Sequence, residues 1–287
     1  MLTLKKCMDT IYTWKKAPIS KACDLSEGKK LLILANGPSA KEFWDNDDVR
    51  ERFKSYDLMC MNDTLFRKSR ELSLLKPKYL IVVDPANFGH RENETPEEYE
   101  RNEMLANNMK NSVSQVTWKT NFITNFHGIL DFNNENVNII RLNCNTISPE
   151  KERYYKLYKR NLANPGLDTV LEYALYFAIT YGYKEIALLG TEFSLFKYVT
   201  VDDNNIMHNG SKHYYKDDKN IHQSNLVTGQ RYGYKGSSVA YYLHRIANCF
   251  STFFTLNQYA KFYGCTIYNY SDDSMIDAFE RRRIFSE

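Results

Sequence analysis

The chain reads as an α/β protein built on a mostly parallel sheet. Three observations predict this. Short continuous apolar runs recur along the chain, each bounded by turn residues, which is the pattern of strands buried on both faces. Stretches with helical spacing lie between several of these runs, and strands alternating with helices pair in parallel. Hydrophobic residues make up 43% and charged residues 25% of the 287, a balance that supports a packed core and argues against a disordered chain.

Residues 1–28 form an N-terminal extension of helical character. Leu2, Leu4, Met8, Ile11, Tyr12 and Trp14 stand among lysines, roughly as an amphipathic helix. Such a helix either packs on the protein or lies on a membrane surface. No long apolar stretch follows Lys5 and Lys6, so a signal peptide is not expected, and no run approaches the ~18 apolar residues of a membrane span.

The first strand is expected at Lys30–Ala35, closed by Asn36-Gly37-Pro38-Ser39, with Ser39 positioned to cap a helix through Phe43 and Trp44. Further strands are expected at Asp57–Met61, Lys78–Val83, Val137–Leu142, Glu185–Leu189 and Thr266–Tyr268. Asp45-Asn46-Asp47 follows a helix start and reads as a polar turn. Two helices are well marked. Leu167 to Ile179 carries an apolar stripe between Asn164-Pro165-Gly166 and Gly182, and Val239 to Phe254 carries a second that ends near Gly264. Both stripes are read as core. Residues 87–121 read as polar and helical. Residues 198–238, rich in Asp, Asn, Gly, Tyr and His, have no periodicity, which suits a long functional loop such as a lid.

Charge and cysteine spacing exclude several functions. The formal net charge is +3, too small to make nucleic acid the main partner. The six cysteines show no Cys-x-x-Cys spacing, so a zinc ribbon has no support, and free thiols in a reducing cytosol fit best. No metal site is expected from the six histidines. The 27 Asn and 22 Tyr are read mainly as codon bias.

In an open parallel sheet, ligands bind beyond the carboxyl ends of the strands. The residues there are Asn36-Gly37-Pro38-Ser39, Asn62-Asp63, Asp84-Pro85-Ala86-Asn87 and Gly190-Thr191-Glu192. Asn and Asp side chains read hydroxyls or base edges, and the same residues also build ordinary turns. Gly-x-Gly-x-x-Gly and Walker loops are absent, so a nucleoside monophosphate fits better than a dinucleotide or triphosphate.

Ile33-Leu34-Ala35-Asn36-Gly37-Pro38-Ser39 resembles the opening strand and loop of the bacterial lipooligosaccharide sialyltransferases of glycosyltransferase family 42. In the same order, Met61-Asn62, Pro85-Ala86-Asn87-Phe88, Gly190-Thr191-Glu192-Phe193, Asn209-Gly210-Ser211 and Ile267-Tyr268-Asn269 with Ser271 and Ser274 are similar to later elements of that family. Sialyltransferase-like proteins of surface-polysaccharide clusters match equally well. The shared order, spanning most of residues 30–280, carries the resemblance.

The resemblance implies a single Rossmann-like α/β/α sandwich, a GT-A-like variant, over residues 29–287 with a lid at about 194–238. It implies an inverting, metal-independent transfer of sialic acid or a related nonulosonic acid from a CMP-sugar donor to a surface glycan acceptor. No further cofactor is implied. The expected location is the cytoplasm or the inner face of its membrane, and a homo-oligomer is compatible with it. Asn36, Gly37, Pro38, Ser39, Asn62, Asp63, Asn87, Gly166, Gly190, Thr191, Glu192, Ser271 and Ser274 would hold the donor. Tyr214 and Tyr215 would face its phosphate. The family's base position falls on Ala247, so His244, one helical turn away, and His213, where the family has a lid tyrosine, are the two candidate bases. The lid is longer than the family pattern, between Phe193 and Asn209. Two other readings stay open: a different nucleotide enzyme on the same fold, such as a pyrophosphokinase-like protein, and a non-catalytic nucleotide- or glycan-binding module.

Overall fold

The computed structural model describes residues 29–89, 96–125, 130, 132–147, 152–208, 210, 213–214, 230–231, 234–235 and 238–285. The N-terminal amphipathic stretch, Tyr215, Asn209 and Ser211 lie outside the described residues.

Eight strands form one parallel sheet: β1 (Lys30–Leu34), β2 (Asp57–Met61), β3 (Tyr79–Ile81), β4 (Thr120–Thr124), β5 (Val137–Arg141), β6 (Glu185–Leu189), β11 (Thr266–Asn269) and β12 (Glu280–Arg281). Two small antiparallel pairs, β7 (Thr200–Val201) with β8 (Met207–His208) and β9 (Gln230–Arg231) with β10 (Tyr234–Lys235), lie between β6 and β11 in the chain. The order across the large sheet is β12-β11-β6-β1-β2-β3-β4-β5, and every adjacent pair is parallel. The chain therefore builds outward from β1 through β5, then returns to lay β6 on the other side of β1. This is the expected α/β fold, with a Rossmann-like layering of helices on the sheet.

Helices α1 (Ala40–Asp45), α2 (Asp47–Arg52), α3 (Thr64–Arg67), α4 (Ser69–Leu75) and α5 (Pro96–Ser114) serve one face. There Leu32 and Leu34 of β1 pack with Phe43, Val49, Leu72 and Met109. Helices α6 (Tyr155–Lys159), α7 (Val170–Thr180) and α8 (Val239–Phe262) serve the other, where Leu31 and Ile33 pack with Leu175, Ala178, Phe253 and Leu256. The alternation of Leu31/Ile33 and Leu32/Leu34 is the period of two that sends neighbours to opposite faces. Because both faces are covered, neither set can be polar, which is why β1 reads as one apolar run.

The two apolar stripes expected to be core form α7 and α8. In α7, every residue from Leu171 to Thr180 is buried. It begins at a capping box in which Thr169 accepts from the Glu172 N–H and Glu172 reaches back to the Thr169 N–H. Asn46 accepts from the Asp48 N–H and caps α2, so Asp45-Asn46-Asp47 is the polar turn expected. Ser39 differs from expectation. It occupies the cap position of α1 but makes no capping bond, because its Oγ accepts from the Gly190 N–H at 3.1 Å instead. Cys60, Cys144, Cys249 and Cys265 are free thiols. Among the described residues no helix is long and apolar enough to cross a membrane.

Candidate functional site

Strand order reverses at β1, whose neighbours are β6 and β2. A crevice is expected where the loops beyond these strands part, at their carboxyl ends. Loops after β1, β2, β3, β6 and β11 converge there, and they carry most of the residues expected to hold a donor.

The β1 and β6 loops interlock. Ala35 donates its N–H to the Leu189 carbonyl at 2.8 Å, and Gly37 donates to the Gly190 carbonyl at 2.8 Å. The Ser39 N–H donates to Glu192 Oε1 at 2.6 Å. Two glycines make this approach feasible. A β-carbon on Gly37 would lie 1.6 Å from Glu192 Oε2 and 2.6 Å from the Gly190 carbonyl oxygen. Gly190 has φ +76°, and a β-carbon there would meet the Ala35 carbonyl oxygen at 2.7 Å. Burial pushes the Glu192 carboxyl above its ordinary value, against the bonds from Ser39. Its Oε2 is buried without a hydrogen-bond partner.

Ser39 thus holds two loops together. Replacing it by alanine leaves the buried Gly190 N–H without an acceptor, at a cost of about 2 kcal/mol. Urea unfolding should show this loss. A change within ~0.5 kcal/mol, the size of an ordinary surface substitution, would count against the assignment.

Asn36 is held from the β2 side. Its Nδ2 donates to Asp63 Oδ1 at 2.8 Å, and its Oδ1 accepts from Thr64 Oγ1 at 2.6 Å. Its carbonyl receives both the Tyr214 N–H at 3.1 Å and His213 Nδ1 at 3.2 Å. A carbonyl can only accept, so Nδ1 donates in this contact. The Tyr214 ring packs on Trp44 with centroids 5.9 Å apart, and Lys68 Nζ lies 5.4 Å from the Trp44 centroid and 5.9 Å from that of Tyr214. Tyr214 therefore anchors its segment onto the α1 side of the sheet. Burial pushes its hydroxyl well above the usual phenol range.

Asn62 has φ 45°, the left-handed conformation that Asn tolerates better than most residues. Its Oδ1 is buried without a hydrogen-bond partner. Asn87 lies in the 3-10 turn Pro85–Phe88, which Asp84 caps through the Ala86 N–H. Its Nδ2 donates to the Asp84 carbonyl at 3.3 Å, and its Oδ1 is likewise buried and unpartnered.

Thr191, Ser271 and Ser274 are joined in one buried network with Asn269, which is absent from the residues expected to hold a donor. Thr191 N–H donates to Ser271 Oγ at 2.8 Å, and the two hydroxyls lie 2.9 Å apart. Asn269 Nδ2 donates to Ser274 Oγ at 2.9 Å, and Ser274 Oγ donates to the Thr191 carbonyl at 2.7 Å. Met275 N–H closes on the Glu192 carbonyl at 2.7 Å. These groups bond to one another and fix the Glu192 backbone. Sequence reasoning misses Thr64 and Asn269 because their partners lie 28 and 78 residues away, beyond any local spacing pattern.

The remaining expected residues fall further out. Gly166, at φ +93°, donates to Asn164 Oδ1 before α7, and its carbonyl accepts from Thr252 Oγ1 at 3.3 Å. β6 and β11 are adjacent and parallel, so α8, which precedes β11 and returns the chain across the sheet, starts at the carboxyl edge. His244 is in its second turn, exposed, outside the set of side chains that α8 buries. His208 is bonded to Asp202 at 2.9 Å within the β7–β8 pair. Pro38 sits in the β1 loop and is exposed. Among the described residues no group of three or more His, Cys, Asp or Glu could hold a metal ion.

No protein-family model matches the chain, and no curated protein matches it.

Proposed function

We propose that the chain is an inverting transferase that takes a nonulosonic acid from a cytidine monophosphate donor to a glycan hydroxyl. One observation carries the reading. Glu192 Oε2, Asn62 Oδ1 and Asn87 Oδ1 are three buried acceptors without partners, set along β6, β2 and β3 around the strand-order reversal. Adjacent strands are about 4.8 Å apart, so this row extends about 14 Å across the sheet edge. Acceptors call for donors, and a cytidine nucleotide supplies ribose hydroxyls and an exocyclic amine. The order of motifs resembling the family 42 sialyltransferases supports the same ligand class.

In this reading the acceptor hydroxyl oxygen attacks the anomeric carbon as the bond from that carbon to the phosphate oxygen breaks. The electron pair leaves with cytidine monophosphate, and the hydroxyl proton passes to a histidine. His213 is favoured as that base by its position against the β1 loop, where its ring meets the Asn36 carbonyl. His244 is the alternative, from the start of α8.

A thermal-shift series with CMP, UMP, AMP and GTP tests the donor class. CMP at 100 times its dissociation constant should add about 2.7 kcal/mol of stability. Absence of any shift with cytidine nucleotides would sink the proposal. With a turned-over CMP-sugar, His213→Ala should lower kcat about a hundredfold while His244→Ala changes it less, and the reverse result assigns the base to His244.

A further inference from the structure

On the α1–α2 side of the sheet, away from the crevice, a cavity of about 500 Å³ opens between Leu32, Phe43, Phe53, Tyr56, Leu58 and Leu75. This is the size of a cleft that encloses a ligand. Leu75, which lines the cavity, closes α4. The rim is charged. Arg50 pairs with Asp47 and Lys54 with Glu51, and Asp48 adds a third carboxylate against those two cations.

The described chain begins beside this cavity. Lys30 opens β1, its Nζ lies 5.4 Å from the centroid of the Tyr56 ring, and Leu32 of the same strand lines the cavity. Residues 1–28 therefore join the fold at the edge of the groove. They carry Leu2, Leu4, Met8, Ile11, Tyr12 and Trp14, with Lys5, Lys6, Lys15 and Lys16 against Asp9 over the first sixteen residues. We propose that this basic amphipathic segment docks its apolar side chains into the Leu32–Phe53–Leu75 groove of its own chain. Apolar surface meets apolar surface, and the lysines meet a rim with one carboxylate, Asp48, in excess over its cations. Reach is no obstacle, because the fourteen residues from Lys15 to Gly28 can extend about 50 Å. Tethering also gives an effective concentration in the ~mM range, so a weak intrinsic contact is enough to hold the segment.

Photo-cross-linking on the full chain tests this, with a benzophenone amino acid in place of Ile11. Mass spectrometry should find cross-links within the same chain to residues 53–58 or 72–75. Their yield should fall at least about threefold in Asp48→Lys and in Leu75→Gln. Asp48 is exposed, so the first variant keeps the fold and the urea transition of the parent. Cross-links between two chains, to lipid when phosphatidylglycerol vesicles are present, or to other parts of the surface would overturn the proposal. So would an unchanged yield in both variants.

Discussion

Gly190→Ala should lower the unfolding free energy by about 3 kcal/mol. Two costs add. A β-carbon at φ +76° costs about 1–2 kcal/mol. The same atom would then press on the Ala35 carbonyl oxygen at 2.7 Å and on Ala40 Cβ at 2.8 Å, and overpacking of this kind costs about 1–3 kcal/mol. Neither neighbour can retreat easily, because Ala35 is bonded to Leu189 and Ala40 is fully buried at the start of α1. Gly264→Ala is the control. Its φ is +66°, but its β-carbon would meet only the flexible Lys184 Nζ at 3.8 Å, so the backbone cost alone should remain, about 1 kcal/mol. Urea unfolding of both variants separates the two costs, and equal losses would mean that the β1 and β6 loops do not meet as tightly as these contacts require. Gly37→Ala should fall between the two. The Glu192 carboxylate can swing away from the new methyl, whereas the Gly190 carbonyl at 2.6 Å cannot. That swing would break the bond from Ser39, so, on the proposed donor reading, the thermal shift with CMP should shrink in this variant.

How much of the fold is legible in the sequence depends on where each residue finds its partners. β2 and β6 match their expected bounds, and β1 ends one residue short of the expectation, at Leu34. All three sit in the middle of the sheet, where burial on both faces leaves an unbroken apolar run. β4 begins at the end of the stretch 87–121 that reads as polar and helical, and no strand is expected there. Its sequence, Thr120-Asn121-Phe122-Ile123-Thr124, mixes both classes, and the Thr120 hydroxyl and Trp118 indole are satisfied by the Pro77 carbonyl, 43 and 41 residues earlier. β12, only Glu280–Arg281, is an exposed edge strand with no apolar signal. The same division holds at the site. Turn residues after strands mark Asn62, Asn87 and Glu192, whose buried oxygens lack partners. They do not separate these from Ser271 and Ser274, which are equally polar but bond within the network under Thr191. Local pattern finds the loops; only the long-range pairing tells which polar atoms are already satisfied.

Glu172→Gln should change how stability depends on pH. Glu172 is fully buried at the start of α7. Its Oε2 accepts from the Asp168 N–H at 2.7 Å and the Thr169 N–H at 2.6 Å, while Oε1 is buried without a partner. Burial raises its pKa from 4.5 to about 7, and the N–H donors only partly oppose this. In the unfolded chain the carboxyl titrates near 4.5. Between that pH and about 7, the folded state therefore holds a proton that the unfolded state has released, and stability falls as pH rises. The loss is absent below the unfolded value and complete above the folded one, and a shift of this size corresponds to about 3 kcal/mol. Glutamine keeps one acceptor for the capping N–H groups and never ionises. The variant should lie about 1 kcal/mol below the parent at pH 4, the cost of a buried unpaired amide, lack its decline, and exceed it by about 2 kcal/mol at pH 8. Urea midpoints for both chains across this range decide the matter. Parallel curves would place the ionisation of Glu172 outside the folding equilibrium. Glu172→Ala separates charge from capping: it too never ionises, so its curve should run parallel to that of the glutamine variant, about 1–2 kcal/mol lower at every pH because the reciprocal bond to Thr169 is gone.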